Sequence, residues 1–154
     1  MAAIGDIDEA NCAIGVALAL IGEGEHGRGL RAIQNELFDL GADIATPGEV
    51  AGALRITAGQ AERLEREIDA MNADLAPLTS FILPGGSPAA AAVHMARAVV
   101  RRAERAMVAL NEAEPVNPSA LAYVNRLSDH LFVTARHLAA DQGGDMLWQP
   151  GATR

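Results

Sequence analysis

Residues 97–105 read R-A-V-V-R-R-A-E-R and set Arg97, Arg101, Arg102 and Arg105 on two turns of a chain whose net charge is −8. On an α-helix, at about 100° per residue, Arg97, Arg101 and Arg105 share one narrow sector with His94 and Glu104, while Arg102 points to the side. Stacked guanidiniums repel one another unless an anion lies across them. Glu104 is the one acid in the stretch, so pairing along the helix does not neutralise the stripe. The planar guanidinium fork matches phosphate oxygens two at a time, and a polyphosphate is the natural occupant. The competing reading is a solvated charged face.

Three further groups bear on this chemistry. Asn125, Asp129, Phe132 and Arg136 recur at spacings of four, three and four on one face. Asn125 offers an amide to a base, sugar or phosphate, and Asp129 is placed to orient an arginine from the preceding helix. Alternatively, Arg126, Asp129 and Arg136 are surface ion pairs of little energetic weight. The stretch F-I-L-P-G-G-S-P (81–88) exposes Gly85 and Gly86 amides at a helix start, where an anion can bind, with Phe81 as an apolar wall. In the structural reading, Ile82 or Leu83 is a staple ahead of the cap. No phosphate-binding G-x-x-x-x-G-K-[ST] occurs. His26, His94, His130 and His137 stand in no H-E-x-x-H or E-x-x-H pattern, so no protein-held metal is expected, and His94 reads as a hydrogen-bonded, partly buried residue.

Five helical stretches must position these groups. The chain has 154 residues, half of them hydrophobic but only 3% aromatic, so its core is built from Ala, Leu, Ile and Val, and an all-α protein is expected. Ile7, Ile14, Leu18 and Ile21 define the first helix; Leu30, Ile33, Leu37 and Leu40 define the second, which is expected to stop near Gly41. Thr57 and Gln60 form a capping-box pattern before Ala61, Leu64, Ile68, Met71 and Leu75. Ser87-Pro88 and Asn117-Pro118 each combine an N-cap with proline at the first helical position. The fourth helix then runs to about Asn111, burying Ala96, Val100, Ala103, Met107 and Leu110. The fifth buries Leu121, Val124, Leu131, Ala135 and Leu138. Short polar connections favour an antiparallel bundle in one domain over residues 1–154. Residues 141–154 read as a tail, loosely held except where Met146, Leu147 and Trp148 dock. The twelve basic residues are all arginine, and the acidic balance excludes a general nucleic-acid or membrane-surface role. One cysteine, Cys12, excludes an internal disulfide, and the expected compartment is cytoplasmic.

In order and spacing, S-F-I-L-P-G-G-S (80–87), R-A-V-V-R-R-A-E-R (97–105) and N-R-L-S-D (125–129) resemble the PduO-type ATP:cob(I)alamin adenosyltransferases. I-G-D-I-D-E-A-N (4–11) and I-Q-N-E-L-F-D-L-G (33–41) are similar to that family's first- and second-helix motifs. The resemblance implies a five-helix bundle assembled as a homotrimer with active sites between subunits. It implies transfer of the 5′-deoxyadenosyl group of Mg-ATP to the cobalt of reduced cobalamin, with release of triphosphate. It places Arg101, Arg102, Ala103, Glu104, Arg105 and Asn125 at ATP, and makes Arg97 the intersubunit partner of Asp8. Phe81 becomes the aromatic residue that displaces the corrinoid's lower axial base, so that Phe81 and Arg101 carry the catalytic roles. A cob(II)alamin reductase and an adenosylcobalamin-dependent enzyme are the implied partners. The family usually starts with T-R-T-G-D-x-G, which folds over the phosphates; this chain starts at M-A-A-I-G-D without it. Either these residues are a piece of a longer chain that carries the segment, or the natural protein has lost part of its ATP loop; in the second case catalysis is in doubt while corrinoid or nucleotide binding persists. The alternative is a trimeric protein that binds or delivers adenosylcobalamin without making it.

Overall fold

The computed structural model describes residues 1–154 as five helices: α1 (Ala2–Ile21), α2 (Glu25–Ala45), α3 (Ala58–Ala73), α4 (Pro88–Ala113) and α5 (Pro118–Ala140). Their starts follow local chemistry. Ser87 Oγ accepts from the Ala90 amide at 3.2 Å, and Asn117 Oδ1 from the Ser119 amide at 3.0 Å. Gln60 Oε1 reaches back to the Thr57 amide at 2.8 Å, one half of the capping box. The ends are less legible. α1 begins at Ala2, ahead of the first large apolar residue, because Ala3 and Ile7 already face the core. α2 passes through Gly41 to Ala45, since Leu40 and Asp43 on either side of that glycine are both buried. α3 stops at Ala73 rather than Leu75.

The core follows the apolar spacing closely. Leu30, Ile33, Leu37 and Leu40 of α2 meet Ile7, Ile14 and Leu18 of α1; Val100, Ala103 and Met107 of α4 meet Val124, Leu127 and Leu131 of α5. Fully burying such a side chain contributes about 1.5–3 kcal/mol. α1 packs on α2 and α4, α4 on α5, and α5 on α3. Consecutive helices alternate in direction: Asn11 bonds Gln34 between α1 and α2, and Asn125 bonds Glu104 between α5 and α4. In such an up-and-down order, alternate helices point the same way. Arg126 with Glu65, His130 with Glu67 and Thr134 with Met71 rise together along the chain, so α3 lies parallel to α5. The connection 46–57 stays at one end of the bundle, where Asp43 holds Arg55 and the Ile56 amide, and α3 then runs back along α2 with Arg63 on Glu36. No helix is long and apolar enough to cross a membrane.

The turn between α1 and α2 depends on Gly27. A Cβ at Gly27 would stand 2.0 Å from the carbonyl oxygen of Gly22, itself a glycine at φ 77°.

Candidate functional site

The arginine stripe lies along the seam where α4 meets α5. Ala103 and Val100 anchor α4 in the core beneath it, so Arg101, Arg102 and Arg105 project outward. Glu104 joins the two helices: its Oε2 accepts from Arg101 Nη1 at 2.6 Å and its Oε1 from Asn125 Nδ2 at 2.7 Å. Arg105 donates to the Arg101 carbonyl at 3.0 Å. Arg101, Glu104, Arg105 and Asn125 are thus held in one hydrogen-bonded group, with most guanidinium N–H groups of Arg101 and Arg105 still free to bind an anion.

Other expected members depart from that group. Ala103 is 1% exposed, and its methyl faces the core because it sits on the buried stripe of α4. Arg102 leans toward α1, bonding Asp6 at 3.2 Å and pairing with Glu9, because those acids face it across the α1–α4 contact. Asp129 does not orient an α4 arginine; it accepts from Arg126 one turn away at 2.7 Å, the nearer donor. Arg97 packs its guanidinium 5.9 Å from the centre of the Phe132 ring, and its Nε is buried without a partner. Asp8 is exposed on α1, and the ion pairs from α1 to α4 within the chain come from Asp6 and Glu9 instead. His94 is buried with Nδ1 unpaired, contrary to the hydrogen-bonded role expected of it. Burial first, and the Arg97 charge second, hold its imidazole below the ordinary range.

Phe81 stands 78% exposed on the connection before α4. That connection is extended, as the proline at 84 predicts, and Ile82 pairs with Leu147 in an antiparallel bridge rather than acting as a staple. The tail is therefore held by its backbone through the residues expected to dock. Trp148 meets Phe81 edge to face, with ring centres 6.0 Å apart.

Two polar groups escaped the sequence reading. Arg136 is 8% exposed, not a surface residue: it donates to Asp145 Oδ2 and to the Ala76 carbonyl, each at 2.8 Å. Asp43 is buried and accepts from Arg55, the Ile56 amide and Asn117 at 2.7–2.8 Å, tying α2 and the 46–57 connection to the start of α5. Each unites residues distant in sequence, and no spacing announces either. No group of three or more His, Cys, Asp or Glu is arranged to hold a metal ion.

Known proteins share this fold. Residues 1–138 match the family model described as cobalamin adenosyltransferase. A corrinoid adenosyltransferase of Mycobacterium tuberculosis (strain ATCC 25618 / H37Rv) is 49% identical over 160 residues, covering 100% of this chain and 82% of the relative. That of Bacillus subtilis (strain 168) is 43% identical over 154 residues, covering 96% and 79%. Among solved structures, a variant of the PduO-type ATP:corrinoid adenosyltransferase from Lactobacillus reuteri, complexed with cobalamin and ATP, superposes with a TM-score of 0.88. It is 35% identical in sequence, over 96% of this chain and 84% of that one. With the helical frame and nine-tenths of the length in agreement, this chain belongs to the cobalamin adenosyltransferase family.

Proposed function

We propose that this chain transfers the 5′-deoxyadenosyl group of ATP to the cobalt of cob(I)alamin, releasing triphosphate. One observation carries the reading of the site: the Glu104 carboxylate grips Arg101 and Asn125 together at the mouth of the α4–α5 seam. Reduced cobalt supplies the electron pair that forms the Co–C5′ bond. The C5′–O bond breaks, and its pair leaves on triphosphate. No side-chain nucleophile is required, so the protein's work is placement and charge. Arg101 and Arg105 hold the departing phosphates, which carry their own Mg²⁺, and Asn125 contacts the nucleotide. Arg102, turned toward Asp6 and Glu9, ties α1 to the stripe. Phe81, exposed on its connection, meets the lower face of the corrinoid and keeps a ligand from cobalt there.

The same reading makes the active unit a trimer with sites between subunits. Arg97 and Asp8 lack each other within one chain and fit as partners across the interface. Val16 and Leu20 of α1 and Met95 of α4 are exposed and supply apolar surface for it. Incubation with Mg-ATP and chemically reduced cobalamin, followed by the corrinoid absorbance, tests the activity. Formation of adenosylcobalamin is expected. Tight binding of adenosylcobalamin without conversion, unchanged when a T-R-T-G-D-x-G segment is added ahead of Met1, would favour a delivery protein instead.

A further inference from the structure

The connection 74–87 and the tail after α5 are the stretches nearest Phe81, and they lie side by side. Leu83 N donates to the Met146 carbonyl at 2.8 Å, and Trp148 N to the Phe81 carbonyl at 2.7 Å. Ser80 Oγ adds a bond to the Trp148 carbonyl at 2.9 Å. Extended pairing sends successive side chains to opposite faces. Ile82 and Leu147 accordingly turn inward, half-buried, while Phe81, Leu83, Met146 and Trp148 all turn out to solvent. The register of this short ladder decides whether an indole lies beside the Phe81 ring.

Arg136 holds both segments. From the last turns of α5 it bonds Ala76 in one and Asp145 in the other, so one buried cation ties the connection and the tail to the same helix. The bond is charge-assisted and shielded from water, and losing either partner strands a buried charge. The Asp145 end of this tie lies three residues from Trp148, too short a run for the tail to shift by a residue without breaking it.

We propose that Trp148 is a positioning residue for Phe81, and that the Arg136–Asp145 pair holds Trp148 in place. The inference rests on the reading of Phe81 as the residue facing the corrinoid's lower side. A phenylalanine on an open connection swings away when a ligand presses on it. The indole edge closes off that rotation and extends the apolar surface from which ligands and water are excluded.

Trp148→Ala, Trp148→Phe and Phe81→Ala, compared with the native chain, test this. The readouts are KM for corrinoid, KM for ATP, and the spectrum of bound cob(II)alamin, which reports whether the lower ligand is displaced. Trp148 is 45% exposed, so its truncation leaves the fold intact. Loss of one aromatic contact should raise the corrinoid KM about fivefold and lower the displaced fraction similarly. ATP KM should stay within about twofold of native, a split that general destabilisation would not give. Trp148→Phe should restore most of the spectrum. Because Trp148 is the one tryptophan in the chain, its emission should also be quenched by cobalamin and not by Mg-ATP. A native spectrum and corrinoid KM in Trp148→Ala overturn the inference. If Phe81→Ala is altered in that case, the Phe81 reading stands alone; if Phe81→Ala is also native, both fall.

Discussion

Glu104→Gln replaces one carboxylate oxygen with an amide nitrogen at the joint between Arg101 and Asn125. In the native chain the two oxygens accept at 2.6 Å from Arg101 and 2.7 Å from Asn125. A glutamine keeps one acceptor and turns N–H groups toward the other donor, so one bond is lost whichever way the amide lies. Bonds to ionised partners contribute about 1.5–3 kcal/mol, and the exposure of Arg101 reduces this to about 1–1.5 kcal/mol. An opposing effect follows from the lost charge. A phosphate oxygen on the outer N–H groups of Arg101 would lie roughly 6 Å from Glu104, where a unit repulsion in water is about 0.7 kcal/mol. At low salt the two leave Mg-ATP bound about two- to fourfold more weakly. At about 1 M salt the repulsion is screened in both chains and the deficit of the variant grows to about 5- to 12-fold. Calorimetric titration of native and variant chains with Mg-ATP at both salt concentrations measures the ratio. A variant that binds ATP as tightly as the native chain at high salt would refute the anchoring role of Glu104.

Gly27→Ala drives a methyl group against the Gly22 carbonyl, and overpacking of this kind costs about 1–3 kcal/mol. The neighbouring Gly29 has open space around it, so Gly29→Ala should stabilise α2 by about 0.5–1 kcal/mol; urea unfolding of the pair reads the difference in sign. Asp43→Ala leaves the Ile56 amide without its acceptor and takes one acceptor each from Arg55 and Asn117, which keep backbone carbonyls, and should lower unfolding free energy by about 3 kcal/mol, a claim that fails if the loss is under about 1 kcal/mol. Burial, and then the Glu36 carboxylate, hold the Tyr123 phenol well above its ordinary 10.0. The folded chain keeps that proton after the unfolded chain has lost it, so stability is full below pH 10 and falls as pH rises toward the folded value. With no lysine and one tyrosine in the chain, Tyr123→Phe should flatten that alkaline limb in unfolding measurements at graded pH.

Helix existence, the three cap signatures and the core stripes were legible in the sequence because each is decided within a few residues. Ser87 with Pro88 and Asn117 with Pro118 satisfy their own first-turn amides, and Leu30, Ile33, Leu37 and Leu40 share a face by helical geometry alone. The arginine stripe was legible for the same reason, and its resemblance to a family supplied the ligand. Arg136 was misread as a surface residue because its partners, Ala76 and Asp145, lie 60 and 9 residues away and come together only when the tail folds back. Arg102 found its acids on α1, whereas Asp129 settled on Arg126 one turn away on its own helix.

The sequence by itself determined five amphipathic helices, the starts of α3, α4 and α5, and a run of guanidiniums that repel one another without an anion, since these depend on bonds and sectors local to each helix. Only the tertiary structure decided that Glu104 would grip Asn125, that α3 would run beside α5 in the same direction, and that Trp148 would come to rest on Phe81. Those outcomes depend on where long connections carry distant segments, and on which buried charges must find partners once they arrive.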